Sequence, residues 1–490
     1  MSMAEQSLKK KTINGASWTA IDSIARYGIT FVVGIVLARL LSPAEYGLIG
    51  IIMIFINLFN VIVDGGFAHA LIRKQGAIEE DYCTVFYTNL VISIVLAGTL
   101  FSCARPISVF FEREELIDLT RVMSVVVIIN ALSIVQRIRL TKRIDFKTQT
   151  KISITSSITS GAVGIGMAYM GFGVWALVSQ QITSQLMTSI LLWIYNKWIP
   201  KFVFSWTSFK DLWSFGWKLL ASSIIGSLTN DLYNAVIGKC FTPQTLGYYT
   251  RARHFSGIFS TNISTIVNKV SFPVLSTIQD DQPRLKSAYK RLIKVTMLPT
   301  FVLMLGLAAI AKPMILVLIG EKWLTAANYL QIICFYAMMI PLHTLNLISI
   351  QVVGRSDITL RLRIIKSTLG LIPIGIGIWS NSIYWMLAGS LVFDYFCYYL
   401  NTYYSGPLLG YPIKEQIKDV LPLFGVALLM AIPMYLLSYL PLSHFIVLPI
   451  QIVVGGGLII LLCNIFKLSE YYEIKKVLMD FINKFRNKRV

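Results

Sequence analysis

Residues 17–47 read SWTAIDSIARYGITFVVGIVLARLLSPAEYG, a membrane-length apolar run holding two opposite charges, Asp22 and Arg26, and closed by a Ser-Pro-Ala-Glu-Tyr-Gly turn. Such a run reads as a bilayer-crossing α-helix, because about 20 apolar residues span the hydrocarbon and a helix satisfies its own backbone there. A second copy of the layout opens at Trp217, contains Asp231 and closes at Phe-Thr-Pro-Gln-Thr-Leu-Gly, so Pro43 matches Pro243 and Gly47 matches Gly247. Two further pairs follow in order: Ala104-Arg105-Pro106 with Ala311-Lys312-Pro313, and Arg143-Ile144-Asp145 with Arg355-Ser356-Asp357. Their offsets rise from 200 through 207 to 212, as small insertions would make them. A duplicated set of membrane helices points to a transporter.

Composition agrees. Of the 490 residues, 55% are hydrophobic and 14% charged, whereas a soluble domain carries about a quarter charged residues. The basic start, Lys9-Lys10-Lys11, is followed by a span too long and too charged for a cleavable signal peptide. A net charge of +20 would fit a nucleic-acid partner, but most Lys and Arg fall in alternate loops and in the two tails. That asymmetry is the positive-inside pattern, and it puts both termini in the cytoplasm. The six cysteines show neither paired nor zinc spacing and read as packed thiols.

The expected architecture is all-α and polytopic, with about fourteen spans. The first lobe, 1–200, holds spans near 15–40, 46–72, 83–105, 117–137, 152–171 and 174–196. The second, 201–404, holds spans near 215–238, 247–274, 292–311, 326–350, 364–380 and 383–404. An extra pair, near 420–440 and 445–466, fills 405–466, and 467–490 is a basic amphipathic tail for the inner membrane surface. Six spans per repeat keep the two lobes in one orientation, related by an axis along the membrane normal. The loops leave no room for a soluble catalytic domain, and no Walker-type glycine loop occurs.

Several stretches carry a family resemblance: Leu41-Ser42-Pro43-Ala44-Glu45-Tyr46-Gly47, Arg143-Ile144-Asp145-Phe146, Phe272-Pro273-Val274-Leu275-Ser276 with Gln279-Asp280, and Gly320-Glu321-Lys322-Trp323. With them the chain resembles the polysaccharide-transport flippases, and within these the Wzx-type exporters of O-antigen, colanic acid and teichuronic acid repeat units. The resemblance implies a V-shaped, MATE-like pair of bundles working by alternating access in a bacterial inner membrane. It implies undecaprenyl-pyrophosphate-linked oligosaccharide as cargo, polysaccharide polymerase machinery as a downstream partner, and a fold shared with multidrug extruders and the lipid II flippase.

Ionisable residues inside spans are costly and mark function or a partner. Arg26 is the first candidate for the cargo's pyrophosphate, since a guanidinium fork matches phosphate oxygens; the competing reading pairs it with Asp22, one turn earlier. Lys269 extends the positive surface or snorkels to headgroups, and Arg251 with Arg253 line the outer mouth or touch headgroups. Asp22, Asp64, Asp231 and Asp394 are candidates for coupling to H+ or Na+, against buried acids capped by neighbours such as Asn60 or Asn230. No cofactor and no metal site is expected. His343, beside Pro341, reads as a packing residue, and Gly161, Gly164 and Gly166 as close helix contacts. Pro299, Pro341, Pro373 and Pro433 are expected to kink their spans. Two other functions compete: cation-coupled drug extrusion, which favours an acidic and aromatic cavity, and a membrane polymerase or ligase, which needs a large outer loop.

Overall fold

The computed structural model describes residues 25–486 apart from 27 and 75, and every regular element among them is helical. Asp22 lies outside the described residues, and so does the ion pair expected between it and Arg26. The chain forms two compact units, residues 1–247 and 248–490. The first contains α1 (Gly28–Leu40), α2 (Pro43–Asp64), α3 (Phe67–Arg73), α4 (Glu79–Ser102), α5 (Ala104–Phe111), α6 (Leu116–Lys142), α7 (Phe146–Tyr169), α8 (Trp175–Asn196) and α9 (Trp206–Cys240). Helix α10 (Pro243–Ser276) starts at the end of the first unit and continues in the second. The second also holds α11 (Gln282–Leu318), α12 (Leu324–Ala337), α13 (Ile340–Val352), α14 (Ser356–Leu369), α15 (Leu371–Trp379), α16 (Ile383–Leu409), α17 (Ile413–Leu436), α18 (His444–Ile465) and α19 (Ser469–Arg486).

Eight described helical segments are long and apolar enough to cross a membrane, and α1 is a shorter apolar helix. Their burial is inverted relative to a soluble protein. Val91 and Val453 are 60% and 73% exposed, while Asn89, Gln136 and Asn346 are fully buried. A hydrocarbon solvent accounts for both placements, since lipid tails accept valine and leave a polar amide better placed inside the bundle.

Local chemistry sets the helix ends. Ser42 caps α2, accepting from the Glu45 amide at 3.4 Å while its hydroxyl donates to the Glu45 carboxylate at 2.8 Å, and Pro43 occupies the first turn. The same device recurs at α10, where Thr242 accepts from the Thr245 amide at 3.2 Å ahead of Pro243. Helix α2 stops at Gly65 and Gly66, both at positive φ, and so breaks into α3 the expected single span 46–72.

The two matched turns touch. A Cβ placed on Gly47 would lie 1.8 Å from the carbonyl oxygen of Pro243, and one on Gly247 would lie 1.9 Å from that of Pro43. The repeated Pro-x-x-x-Gly spacing is therefore a reciprocal backbone crossing between the starts of α2 and α10. Arg143-Ile-Asp145 and Arg355-Ser-Asp357 each open a helix: Asp145 caps α7 through the Thr148 amide at 3.1 Å, and Asp357 is clamped by Arg355 at 3.0 Å in the first turn of α14.

Residues 206–214, which lie ahead of the expected span 215–238, are the first turns of α9. Ser205 caps them, and Trp206, Phe209 and Trp213 stack along one face, with centroids 5.1 and 6.1 Å apart. That spacing is i, i+3, i+7, which a loop would not bring into register. Beneath the stack, Phe67, Leu71, Phe86, Ile138, Trp198 and Leu212 join α3, α4, α6 and α9 in one buried cluster.

In the second unit α11, 37 residues long, is the column against which α12, α17, α18 and α19 pack. Lys286 and Lys290 of α11 bind Glu415 and Asp419 of α17, and Arg291 and Lys294 bind Glu473 and Glu470 of α19. Pro299 and Pro433 lie inside α11 and α17. Pro341 instead starts α13 after a break at Met338-Met339, and Pro373 lies in the first turn of α15 after Gly370.

Candidate functional site

Helix α7 carries Gln149, Ser153, Ser156 and Ser157 at helical i, i+3/i+4 spacing, and α8 answers with Ser184, Gln185 and Thr188. A polar stripe on a membrane helix must face protein or a water-filled hollow. The two stripes border a cavity of about 400 Å³ in the first unit, which Arg26 and Arg137 also line.

Arg26 stands on the helical stretch leading into α1. Arg137 comes from α6 and faces away from that helix's buried side. Val135 and Ile138 pack into the aromatic cluster, and Gln136 is pinned there, its Nε2 donating to the Trp198 carbonyl at 3.0 Å. Pinning on both sides leaves Arg137 one direction, toward α7 and α8. Its electrostatic neighbours are Arg26, a like charge, and Asp64, an opposite one. Asp64 ends α2, set against the backbone amides of Gly66 and Ala68 with Arg137 and His69 nearby.

An amide relay leads from the cavity into the helix bundle. Gln185 donates to Asn130 Oδ1 at 2.8 Å, and Asn130 donates to Asn60 Oδ1 at 2.9 Å, tying α8, α6 and α2 together. The site thus offers two guanidiniums, a row of hydroxyls and amides, and a rigid wall. This equipment matches the chemistry of a multiply charged oxyanion with many acceptor oxygens, since guanidinium pairs and hydroxyls complement phosphate and sugar groups.

The other candidate residues are dispersed. Asp231 on α9 accepts from Asn57 at 3.5 Å and from Asn234 at 3.3 Å, the amide-capped environment weighed against a coupling role. Arg251 lies in the second unit with its guanidinium 5.9 Å from the Trp323 ring, Arg253 is half-buried on the same helix, and Lys269 is exposed farther along α10. Asp394 is 3.1 Å from His343, so this histidine is a hydrogen-bonded polar residue rather than an apolar packing one.

Arg137 escaped the sequence reading because span 117–137 was expected to end there and hand over to a basic loop. Helix α6 runs on to Lys142, whose ammonium donates to the carbonyls of Leu71 (3.0 Å) and Lys74 (2.7 Å) at the end of α3. The stripe of α7 is the available signal: Gln149, Ser153, Ser156 and Ser157 recur at helical spacing and mark one polar face that an arginine would share.

The sequence profile described as "Polysaccharide biosynthesis protein" matches residues 36–328. The teichuronic acid biosynthesis protein TuaB of Bacillus subtilis (strain 168) is 29% identical over 72% of this chain and 73% of its own length. The succinoglycan biosynthesis transport protein ExoT of Rhizobium meliloti (strain 1021) is 28% identical over 64% of each chain. Among solved structures, the lipid II flippase MurJ in an inward closed conformation superposes with a TM-score of 0.73 at 17% identity, covering 91% of this chain and 98% of that one. That likeness is one of fold.

Proposed function

Since the chain belongs to the polysaccharide biosynthesis protein family, we propose that it is a flippase that moves lipid-linked oligosaccharide repeat units from the cytoplasmic to the outer leaflet of a bacterial inner membrane. The observation that carries this reading is the pair Arg26 and Arg137 in one polar cavity. Their mutual repulsion is relieved by a dianionic pyrophosphate, which receives a fork of donors from each. Asp64, the opposite charge in the neighbourhood, offsets part of this positive charge while the cavity is empty, and the cargo's anion takes over that role. The hydroxyls and amides of α7 and α8 take up sugar oxygens, and the prenyl tail stays in the bilayer. No bond in the cargo is made or broken, so the protein is a transporter and not an enzyme.

Support comes from relatives concerned with teichuronic acid and succinoglycan and from a fold shared with a lipid II flippase. A cavity lined by guanidiniums repels the cationic drugs that extrusion transporters accept. Both termini face the cytoplasm in this reading, a polymerase takes the delivered units, and an H+ or Na+ gradient supplies energy through a carboxylate such as Asp64.

The test is a strain lacking the protein, followed for surface glycan and for lipid-linked repeat units. The expected result is loss of glycan with repeat units held in the cytoplasmic leaflet. Arg137→Ala at normal expression slows transport by roughly tenfold to a hundredfold, the weight of one charge-assisted hydrogen bond, and Arg137→Lys recovers part of it. Unaffected glycan, or units that reach the outer leaflet and stay unpolymerised, overturns the proposal.

A further inference from the structure

Far from the first unit's cavity in sequence, α13, α14 and α16 enclose a chain of four polar side chains. Lys366 Nζ donates to Asn401 Oδ1, Asn401 Nδ2 lies 3.0 Å from His343 Nδ1, and His343 Nε2 lies 3.1 Å from Asp394 Oδ2. Asn401 is fully buried, and the side chains of His343 and Asp394 are 14% and 23% exposed.

The order of donors in this chain is forced. A lysine ammonium has only donors, so it takes the amide oxygen of Asn401 and turns the amide NH2 toward the imidazole. Nδ1 must then be the bare, accepting nitrogen, and Nε2 carries the hydrogen that goes to the Asp394 carboxylate. The resting state is Lys+, neutral His, Asp−. A proton added from water to Nδ1 makes it a donor facing a donor. Asn401 must rotate to offer its oxygen, its NH2 then meets the Lys366 ammonium, and the hydrogen bond that ties α14 to α16 breaks, leaving the apolar contact of Ile358 and Leu362 with Leu400 and Tyr404.

We infer that the second unit carries a proton-binding site at His343 Nδ1, read out by Asn401 and Lys366 as release of α14 from α16. The proton comes from water, Nε2–H and the Asp394 carboxylate are unchanged, and no other bond is altered. The titratable groups around the site are Lys366 from α14 and Asp394, Tyr395 and Cys397 from α16. Helix α11 brings Tyr289, whose hydroxyl donates to Asn346 at 2.9 Å, and the Glu415 and Asp419 carboxylates of α17 are held by Lys286 and Lys290. Helix α12 brings Tyr329, Cys334 and Tyr336 but no Asp, Glu, Lys, Arg or His, and α15 brings no titratable side chain. A sodium ion is poorly served, since imidazole and ammonium hydrogens occupy the space where oxygen ligands would stand. The site gives the protein an H+-driven step, whatever the cargo.

The test uses full-length protein in lipid nanodiscs without cargo. The chain has four histidines, so 15N-imidazole spectra resolve them, with His343→Gln identifying the signal. At pH 8 the expected tautomer has hydrogen on Nε2 and none on Nδ1. On acidification Nδ1 gains hydrogen, and in the same pH range amide protection over residues 356–369 falls by roughly tenfold or more, the loss of one charge-assisted hydrogen bond. Lys366→Met keeps the imidazole titration and abolishes the change in protection. Asn401→Asp accepts from both neighbours, so protection persists and the imidazole transition moves to higher pH; Lys366→Met decides the matter should that variant not fold. An Nδ1–H tautomer at pH 8, a protection profile insensitive to pH, a drop retained in Lys366→Met, or a response to sodium in place of potassium overturns the inference.

Discussion

Alanine at Gly47 puts a methyl group 1.8 Å from the carbonyl oxygen of Pro243, 2.5 Å from its carbonyl carbon and 2.9 Å from its Cα. All three are backbone atoms, so no rotamer change relieves the clash. Real Cβ contacts stop near 3.0 Å, which requires the two helix starts to part by 1.2 Å at Gly47 and, from 1.9 Å, by 1.1 Å at Gly247. Forcing packed backbones apart on this scale costs about 1–3 kcal/mol, against a gain of up to about 1 kcal/mol from replacing a helical glycine. Gly47→Ala and Gly247→Ala are therefore each destabilising. Because both demand the same separation, the double variant loses less than the sum of the two. Thermal inactivation of the purified protein in one detergent measures this. Gly98→Ala and Gly226→Ala, where nothing lies within 4 Å of the added methyl, are the controls and should be neutral or slightly stabilising. Equal stability of Gly47→Ala and wild type, or strict additivity of the pair, refutes the crossing.

The amide relay predicts that Asn130→Leu leaves Asn60 and Gln185 unsatisfied and lowers stability by about 1–3 kcal/mol; Asn130→Gln should cost less in the same thermal assay. The tail helix α19 is held to α11 by Glu470–Lys294 and by Glu473–Arg291 at 2.9 Å. Burial raises the Glu470 carboxyl, but the Lys294 hydrogen bond and charge, with the backbone and Ser469 hydrogen bonds, together outweigh it and bring the group below its ordinary value. A carboxylate depressed in the folded state contributes stability above its unfolded pKa and loses it as pH falls through the folded one. Protease cleavage of the tail should therefore stay slow at neutral pH and rise on acidification through the carboxylate range. Glu470→Gln should be cleaved faster at pH 7 and respond less to acid; an unchanged acid response in that variant would assign the tether elsewhere.

Much of this protein is decided by local chemistry and is legible without coordinates. Apolar runs of membrane length, a serine or threonine cap followed by proline, and glycines that end a span act within a turn or two of the chain. The family follows from the same turn motifs. The pairing of Pro43 with Pro243 and of Gly47 with Gly247 is also visible as a repeat. What the repeat cannot state is that the two turns meet each other, because identical spacing arises from a duplicated turn whether or not its copies touch.

The charged residues divide on the same line. Arg26 reads as functional because a charge inside an apolar run is anomalous wherever the helix packs. Arg137 reads as loop, since the Lys and Arg cluster around it has the composition of a basic inner loop, whereas the helix continues to Lys142, which caps α3. His343 reads as packing because its partners Asp394 and Asn401 lie 51 and 58 residues away. Hydrophobicity and turn propensity are properties of neighbours in sequence, so the sequence alone determined a duplicated, helical membrane transporter and its family. Whether a buried charge faces an anion cavity, an amide cap or a histidine depends on which helix faces meet, and the free energy of that choice is shared among residues far apart in the chain. Only the tertiary structure decided it.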